Sequence, residues 1–352
     1  MNQLPNLTSL RFFLALFVIL YHLPEYCKNR GFPYFNNFSI FFKGNEAVLM
    51  FFSLSGFLII RSLIIEKEKI GYINLKNFYL RRILRIFPLY YLILIFGFVF
   101  YKLLAPQFGF VENQSYNFYF GFFLGATFFA NILATFKPGG ILEILWSIGI
   151  EEQFYLFVAP IFYKFKLKWV SLFLIFFTLF YYILFHFGEE HFNFLKKYLM
   201  YFYHFSFSGI IAFASLNQKI KLNKYFKTLI ITVFLIIFFT DIIKNSVSYS
   251  MYNLVCMIVF SLTIWILSLQ EISFFKSKTI NHLGKISYGI YMYHAIFFQI
   301  IGFLFIKFSI PSLISEIQSI ILFYISVILF TIITAHFSYI YFEHFFIKLK
   351  KH

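Results

Sequence analysis

Charged residues are scarce in this chain. Only 12% of its 352 residues are Asp, Glu, Lys or Arg, and only 14 are acidic. A chain this poor in charge and 61% hydrophobic cannot solvate an ordinary globular surface, which excludes the common soluble classes. Its two cysteines, Cys27 and Cys256, make neither a disulfide framework nor a metal-ligand spacing, so no metal is expected. There are no linkers, low-complexity tails or repeats of the solenoid type. No polar connection is long enough to fold alone, so any chemistry belongs to the apolar segments. The first apolar run lacks a basic start and a small-residue cleavage site and carries Arg11. It is expected to be retained rather than removed as a signal peptide.

What fills the chain instead is a series of apolar runs of bilayer-spanning length. Ten spans are expected, at about 7–24, 46–65, 83–104, 142–163, 168–187, 198–216, 228–243, 250–270, 286–306 and 317–343. The 59 Phe and 26 Tyr read as lipid-facing bulk and interfacial anchors. The net charge of +16 does not point to nucleic acid, because Lys and Arg gather in short connections between the runs. With ten spans, every basic connection falls on one side together with both ends of the chain. The expected fold is therefore an all-α membrane protein: a polytopic bundle of about ten transmembrane helices, both termini cytoplasmic, forming one membrane domain over residues 1–352. Residues 118–136 are apolar enough to cross, yet a crossing there would break the agreement of sides. With Gly121, Gly125 and Asn131, the segment is expected to dip into the membrane or lie on its outer face.

Four clusters sit where a bilayer excludes them. Each charged residue near the centre of a span costs on the order of 2.5–3.5 kcal/mol on insertion scales. Arg11 and His22 lie eleven residues apart in the first run, about three helical turns and therefore one face. Arg81, Arg82 and Arg85 crowd the mouth of the third span. Guanidiniums at that spacing suit phosphate, although a topology anchor or a lipid-phosphate contact explains them as well. Glu151 and Glu152 follow Ser147 inside the fourth span, where a structural ion pair with Arg11 or Arg85 competes with a chemical role. Ser287, Tyr291 and His294 form one polar stripe at the start of the ninth span.

Taken together, SLRFFLALFVILYH, FFSLSGF, RRILRIFPLYY, LWSIGIEEQFYL and GKISYGIYMYH resemble, in order, the motifs of the acyltransferase-3 family of integral membrane acyltransferases. An aromatic-Glu pair near Glu343 closes the series. The resemblance covers nearly the whole chain. It implies transfer of an acyl group, often acetyl, from cytoplasmic acyl-CoA to a hydroxyl of an extracytoplasmic or membrane-linked glycan. His22 and Arg11 correspond to the family's Arg-x10-His pair, and Arg81, Arg82 and Arg85 to its arginine-rich motif. On this reading the arginines hold the phosphates of acyl-CoA. His22 is the general base or nucleophile, and Arg11 stabilises developing negative charge. Glu151 or Glu152 orients His22 or pairs with Arg11. Ser147, Ser287, Tyr291 and His294 are further site candidates. Some members carry a C-terminal extracytoplasmic hydrolase-like domain that is not expected here, which leaves room for a partner protein to complete the transfer. The expected location is the bacterial cytoplasmic (inner) membrane, with the lipid bilayer, acyl-CoA and a glycan as partners. Two other classes compete: a transporter or flippase of a small molecule or lipid-linked sugar, and a membrane scaffold.

Overall fold

The computed structural model describes residues 4–36, 38–107, 116–217 and 219–349. Among the described residues there is no strand. Seven helices among the described residues are long and apolar enough to cross a membrane, and the protein is a helical, multi-pass membrane protein. They are α1 (Leu7–Arg30), α2 (Gly44–Ile70), α3 (Leu75–Val99, continued to Gln107 through a wider turn), α7 (Leu167–Phe187), α10 (Tyr249–Leu269), α12 (Ser287–Lys307) and α13 (Glu316–Phe337, continued to Lys348). Helix α8 (Phe202–Leu216) follows the short helical stretch Glu190–Lys197 at a 74° bend, and counting that pair as one span gives eight. Two further expected spans are helical as well, α6 (Trp146–Lys164) and α9 (Lys224–Phe239). The apolar run of α6 is interrupted by Glu151, Glu152 and Gln153 within a continuous helix, and α9 has only 16 residues. Helix α7 shows what the aromatic content is for. Its Phe176, Leu179, Phe180 and Ile183 point outward, a face suited to hydrocarbon and not to water.

Local chemistry sets many of the boundaries. The side chains of Asn74, Asn117, Asn223, Ser248 and Ser315 accept hydrogen bonds from the first turns they precede, the usual relief for unpaired helix-start N–H groups. Helix α1 does not stop at Pro24, where the sequence reading ends it. It runs on to Arg30, and Gly31 closes it at φ 69°, a left-handed position that glycine takes without cost.

The chain divides into two compact units, one of residues up to Leu58 with Phe207–Tyr339, the other of Ile59–Ser206 with the residues from Ile340. In the first unit α1 lies against α12, and α12 against α13. The start of α1 is tied to the end of α10 by Asn6, whose Nδ2 donates to the carbonyls of Leu267 and Gln270 at 2.7 Å each. Two glycines let the backbones approach. A methyl group on Gly284, at the end of α11 (Lys278–Lys285), would lie 2.0 Å from the Thr8 carbonyl oxygen, and one on Gly302 would lie 2.1 Å from the Tyr26 hydroxyl. These two contacts are equally spaced along both chains, so α1 and α12 run parallel. The seam between them is filled by Ala15, Ile19, Leu23 and Cys27 from α1 and by Ile290, Phe298, Ile301 and Phe305 from α12.

In the second unit the segment 118–136 is two short helices, α4 (Phe118–Ala126) and α5 (Ala130–Ala134), with a break between them. At about 1.5 Å per residue neither approaches the ~30 Å of a hydrocarbon core. The break is held by side chains. Tyr90 and Tyr91 donate to the carbonyls of Gly125 and Ala126 at 2.7 and 2.8 Å. Gln153 Nε2 donates to the Phe128 carbonyl and to Asn131 Oδ1, both at 2.9 Å. Gly149 admits the Phe128 carbonyl, which would stand 2.6 Å from a methyl group placed there. Freed backbone carbonyls are thus satisfied by protein, the condition for irregular structure at membrane depth.

Candidate functional site

Helix α1 carries Arg11 and His22 on one face with ~16 Å of rise between them, so the two side chains do not meet directly. His22 keeps 35% of its side chain exposed, and its Nδ1 stands 3.8 Å from Glu25 Oε2, one turn further along the helix. The ring of Tyr21 meets it edge-on at 5.1 Å. Its face is covered by His294 of α12, with ring centroids 5.5 Å apart and planes 24° apart. One turn further along both helices Tyr26 and Phe298 stack in the same way, with centroids 5.4 Å apart, so His294 stands opposite His22 across the parallel pair.

His294 is fully buried. Its Nδ1 donates to the main-chain carbonyl of Tyr291, which leaves the lone pair on Nε2. That Nε2 is buried with no hydrogen-bond partner among the described residues. Ser287 and Tyr291 are buried along the same helix, so the expected polar stripe exists and its last member reaches His22.

Two groups in this unit escape sequence reasoning. Glu25 is the first. The His22-x-x-Glu25 spacing signals a shared helix face, but ending the span at residue 24 puts the carboxylate outside it. The second is a buried ionic cluster. The Lys43 side chain is 0% exposed, and its Nζ donates to Asp241 Oδ1 and to the Thr240 carbonyl at 2.6 Å each. Glu46 is 1% exposed. It accepts from the Tyr252 hydroxyl at 2.9 Å, with Lys244 Nζ 3.6 Å away.

In the second unit the three arginines have three different settings. Arg81 pairs with Glu66 at 3.2 Å. The Arg82 guanidinium lies over the rings of Phe78 and Tyr155 at 5.7 and 5.3 Å, a cation–π arrangement. Arg85 is exposed. The Tyr155 hydroxyl donates to Glu151 one turn back. Glu152 and Ser147 are buried, and Glu152 Oε1 has no partner among the described residues. Both carboxylates lie within electrostatic reach of Arg82. Within each unit the structure brings together residues of different expected clusters: His22 with His294, and Arg82 with Glu151, Glu152 and Tyr155, where the sequence reading paired the carboxylates with His22, Arg11 or Arg85. The described residues contain no group of three or more His, Cys, Asp or Glu side chains placed to hold a metal ion.

The sequence profile of the acyltransferase-3 family, described as an acyltransferase domain, matches residues 4–336. A peptidoglycan O-acetyltransferase, OatA, of Listeria monocytogenes is 31% identical over 175 residues, 48% of this chain and 26% of that protein. A putative O-acetyltransferase of Staphylococcus aureus is 29% identical over 164 residues, 46% of this chain and 25% of that protein. A putative acetyltransferase of Acidianus two-tailed virus is 28% identical over 310 residues, 86% of this chain and 85% of that protein. The matched stretch is thus about a quarter of the length of the first two relatives. No solved structure matches. With the profile spanning nearly all of its helices, the chain belongs to the acyltransferase-3 family and carries that family's acyltransferase domain.

Proposed function

We propose that this protein is a membrane O-acyltransferase that moves an acyl group, acetyl in the first instance, from cytoplasmic acyl-CoA to a hydroxyl of an extracytoplasmic or membrane-linked glycan. The observation that carries the reading is His22: a partly exposed imidazole on a membrane helix, with a carboxylate at Nδ1 and a buried imidazole behind it. The names of the relatives, O-acetyltransferases in two organisms, support acetyl and a hydroxyl acceptor. On a ten-span arrangement with both ends cytoplasmic, as the basic connections in the sequence favour, the arginine mouth of α3 faces the donor side and His22 lies toward the acceptor side of a bacterial inner membrane. Arg85, exposed at that mouth, is the guanidinium best placed to meet a phosphate of the donor.

The chemistry balances in either of two forms. In the first, His22 takes the proton of the acceptor hydroxyl as its oxygen attacks the thioester carbonyl. The C–O bond forms, the C–S bond breaks, and the proton passes to the departing CoA thiolate. In the second, a lone pair of the neutral His22 ring attacks, the C–S bond breaks and the ring's N–H proton leaves with CoA as the thiol; the acceptor hydroxyl then takes the acyl group from the imidazole and returns its proton to the ring. Arg11, with ~16 Å of rise between it and His22 on the same helix, is too far away to touch that carbonyl oxygen, so the expected charge-stabilising role of Arg11 enters neither form. A partner protein completes delivery if the acceptor lies beyond the reach of the bundle.

The test uses the purified protein in liposomes with labelled acetyl-CoA and a membrane extract as the source of acceptor. CoA release and labelled product that disappear in His22→Ala support the proposal. Wild-type protein that neither binds nor turns over acetyl-, succinyl- or longer acyl-CoA would overturn it and bring the transporter reading forward.

A further inference from the structure

The first unit holds a second imidazole and a carboxylate that the arginine–histidine pair does not account for. His294 cannot move easily. It is fully buried, Nδ1 is bonded to the Tyr291 carbonyl, and its ring is flanked by the rings of Tyr291 and Phe298 at 5.6 Å each. The helix that bears it is set against α1 by the close approach of Gly302 to the Tyr26 side chain, and the helix before it by the contact of Gly284 with the Thr8 backbone. His22, by contrast, is partly open to solvent and has two rotatable bonds of its own. A fixed flat ring under a mobile one selects the rotamers whose plane lies parallel, and the 24° between the planes is that outcome. Glu25 acts on the edge. A carboxylate at Nδ1 favours the tautomer with its proton there, which leaves the Nε2 lone pair free.

We infer that Glu25 and His294 are positioning residues that clamp His22 by edge and face, so that Nε2 is the nitrogen presented to the substrate. The inference rests on the acyl-transfer reading, and it adds which nitrogen reacts and what holds it. A histidine kept only for core packing would have no reason to lie nearly parallel to a second imidazole on the facing helix.

Two measurements test the clamp. The first is steady-state turnover of labelled acetyl-CoA by His294→Phe and His294→Leu. Phe keeps a flat ring beneath His22, whereas Leu keeps the bulk and loses the plane. Leu is expected to lower kcat about tenfold to a hundredfold, the scale of a 1 Å misplacement, with KM for acetyl-CoA unchanged, and Phe to restore most of the loss. Equal activity of the two variants, high or low, overturns the face contact. The second needs no turnover. Diethyl pyrocarbonate is added to the wild type and to Glu25→Leu, both in detergent, and adducts on the His22 peptide are read by mass spectrometry. One carbethoxyl group is expected on wild-type His22, because the Glu25 carboxylate stands at Nδ1, 3.8 Å away, and two on the variant. Two on both, or one on both, overturns the edge contact. A wild type that shows the expected adduct but no His22-dependent turnover defeats the acyl-transfer reading and leaves the geometry of the clamp standing.

Discussion

Lys43 and Asp241 form a lopsided ion pair: the two atoms are 2.6 Å apart, the Lys43 side chain is 0% exposed and that of Asp241 is 32% exposed. The pair ties the entry of α2 to the turn after α9. Its asymmetry makes the two deletions unequal. Removing Asp241 leaves an ammonium buried without its counter-charge. Removing Lys43 leaves a carboxylate that water already reaches. Asp241→Ala is therefore expected to destabilise by about 3–5 kcal/mol, the cost of breaking a buried pair from the exposed side. Lys43→Met, which keeps the stem and drops the charge, is expected to cost about 1–3 kcal/mol. Thermal unfolding in detergent checks the order. A Lys43→Met variant less stable than Asp241→Ala would show that the attraction is not what holds the pair.

Lys43 lies in a connection, 25–45, that the sequence reading counts as near neutral, whereas Asp241 and Glu46 fall inside the expected spans 228–243 and 46–65. A count made segment by segment misses the pairing, because the partners sit in different segments. What was legible is what repeats or is costly: the helical membrane class, the irregular nature of 118–136, the Arg11 and His22 face, and the polar stripe ending at His294. Three things needed the fold. Pro24 reads as a helix end, yet the helix continues, because one missing hydrogen bond is tolerated where neighbouring helices pack around it. The arginines of RRxxR look alike in sequence. Only the neighbours Glu66, Phe78 and Tyr155 separate an ion pair, a ring sandwich and an exposed cation. The stacking of His22 on His294 joins residues at opposite ends of the chain, and no local pattern encodes such a pair.

The parallel seam of α1 and α12 depends on two close approaches that differ in kind. At Gly284 the obstacle is the Thr8 main chain, at Gly302 the end of the Tyr26 side chain. Main chain in a helix cannot yield, whereas a tyrosine can turn. Gly284→Ala is expected to cost at least 1–3 kcal/mol, roughly the range for overpacking, and to lower turnover by displacing His294 from His22. Gly302→Ala should cost less and leave turnover nearly intact. Melting temperatures and acetyl-CoA turnover of the two variants decide the point, and equal losses would argue against a rigid contact at Thr8.

Arg81, Arg82 and Arg85 should separate in function as they do in setting. Arg85→Ala removes an exposed cation with no structural partner to lose. On the proposed donor side it is expected to raise KM for acetyl-CoA about tenfold, in line with ~1.5–3 kcal/mol for a hydrogen bond to a charged group, at unchanged stability. Arg82→Lys removes a planar cation from between two rings and should lower stability by about 1 kcal/mol. Arg81→Ala breaks a partly exposed pair and should cost no more than ~1 kcal/mol. Kinetics and thermal unfolding of all three form one data set. A KM change shared equally by the three would mean that the cluster acts as a single patch of charge.

The start of α12 carries a pH-sensitive contact. His282, on α11, places Nε2 2.8 Å from Nδ1 of His336, so one ring donates and the other accepts. Burial is the main cause that holds the His282 pKa below its ordinary value of 6.5, followed by repulsion from His336 and Lys285. The sign follows from linkage. A base whose folded pKa lies below its unfolded value favours folding while it is neutral. The stability it contributes is present above the unfolded value near 6.5 and is lost as the pH falls through the folded one. The thermal midpoint of the wild type should therefore fall on acidification below about pH 6.5. In His282→Gln, which keeps a donor and an acceptor but does not titrate, part of that fall should vanish. Midpoints of both proteins between neutral and mildly acidic pH measure it. The two curves should diverge on the acid side and run together on the alkaline side, and parallel curves throughout would remove His282 from the acid response.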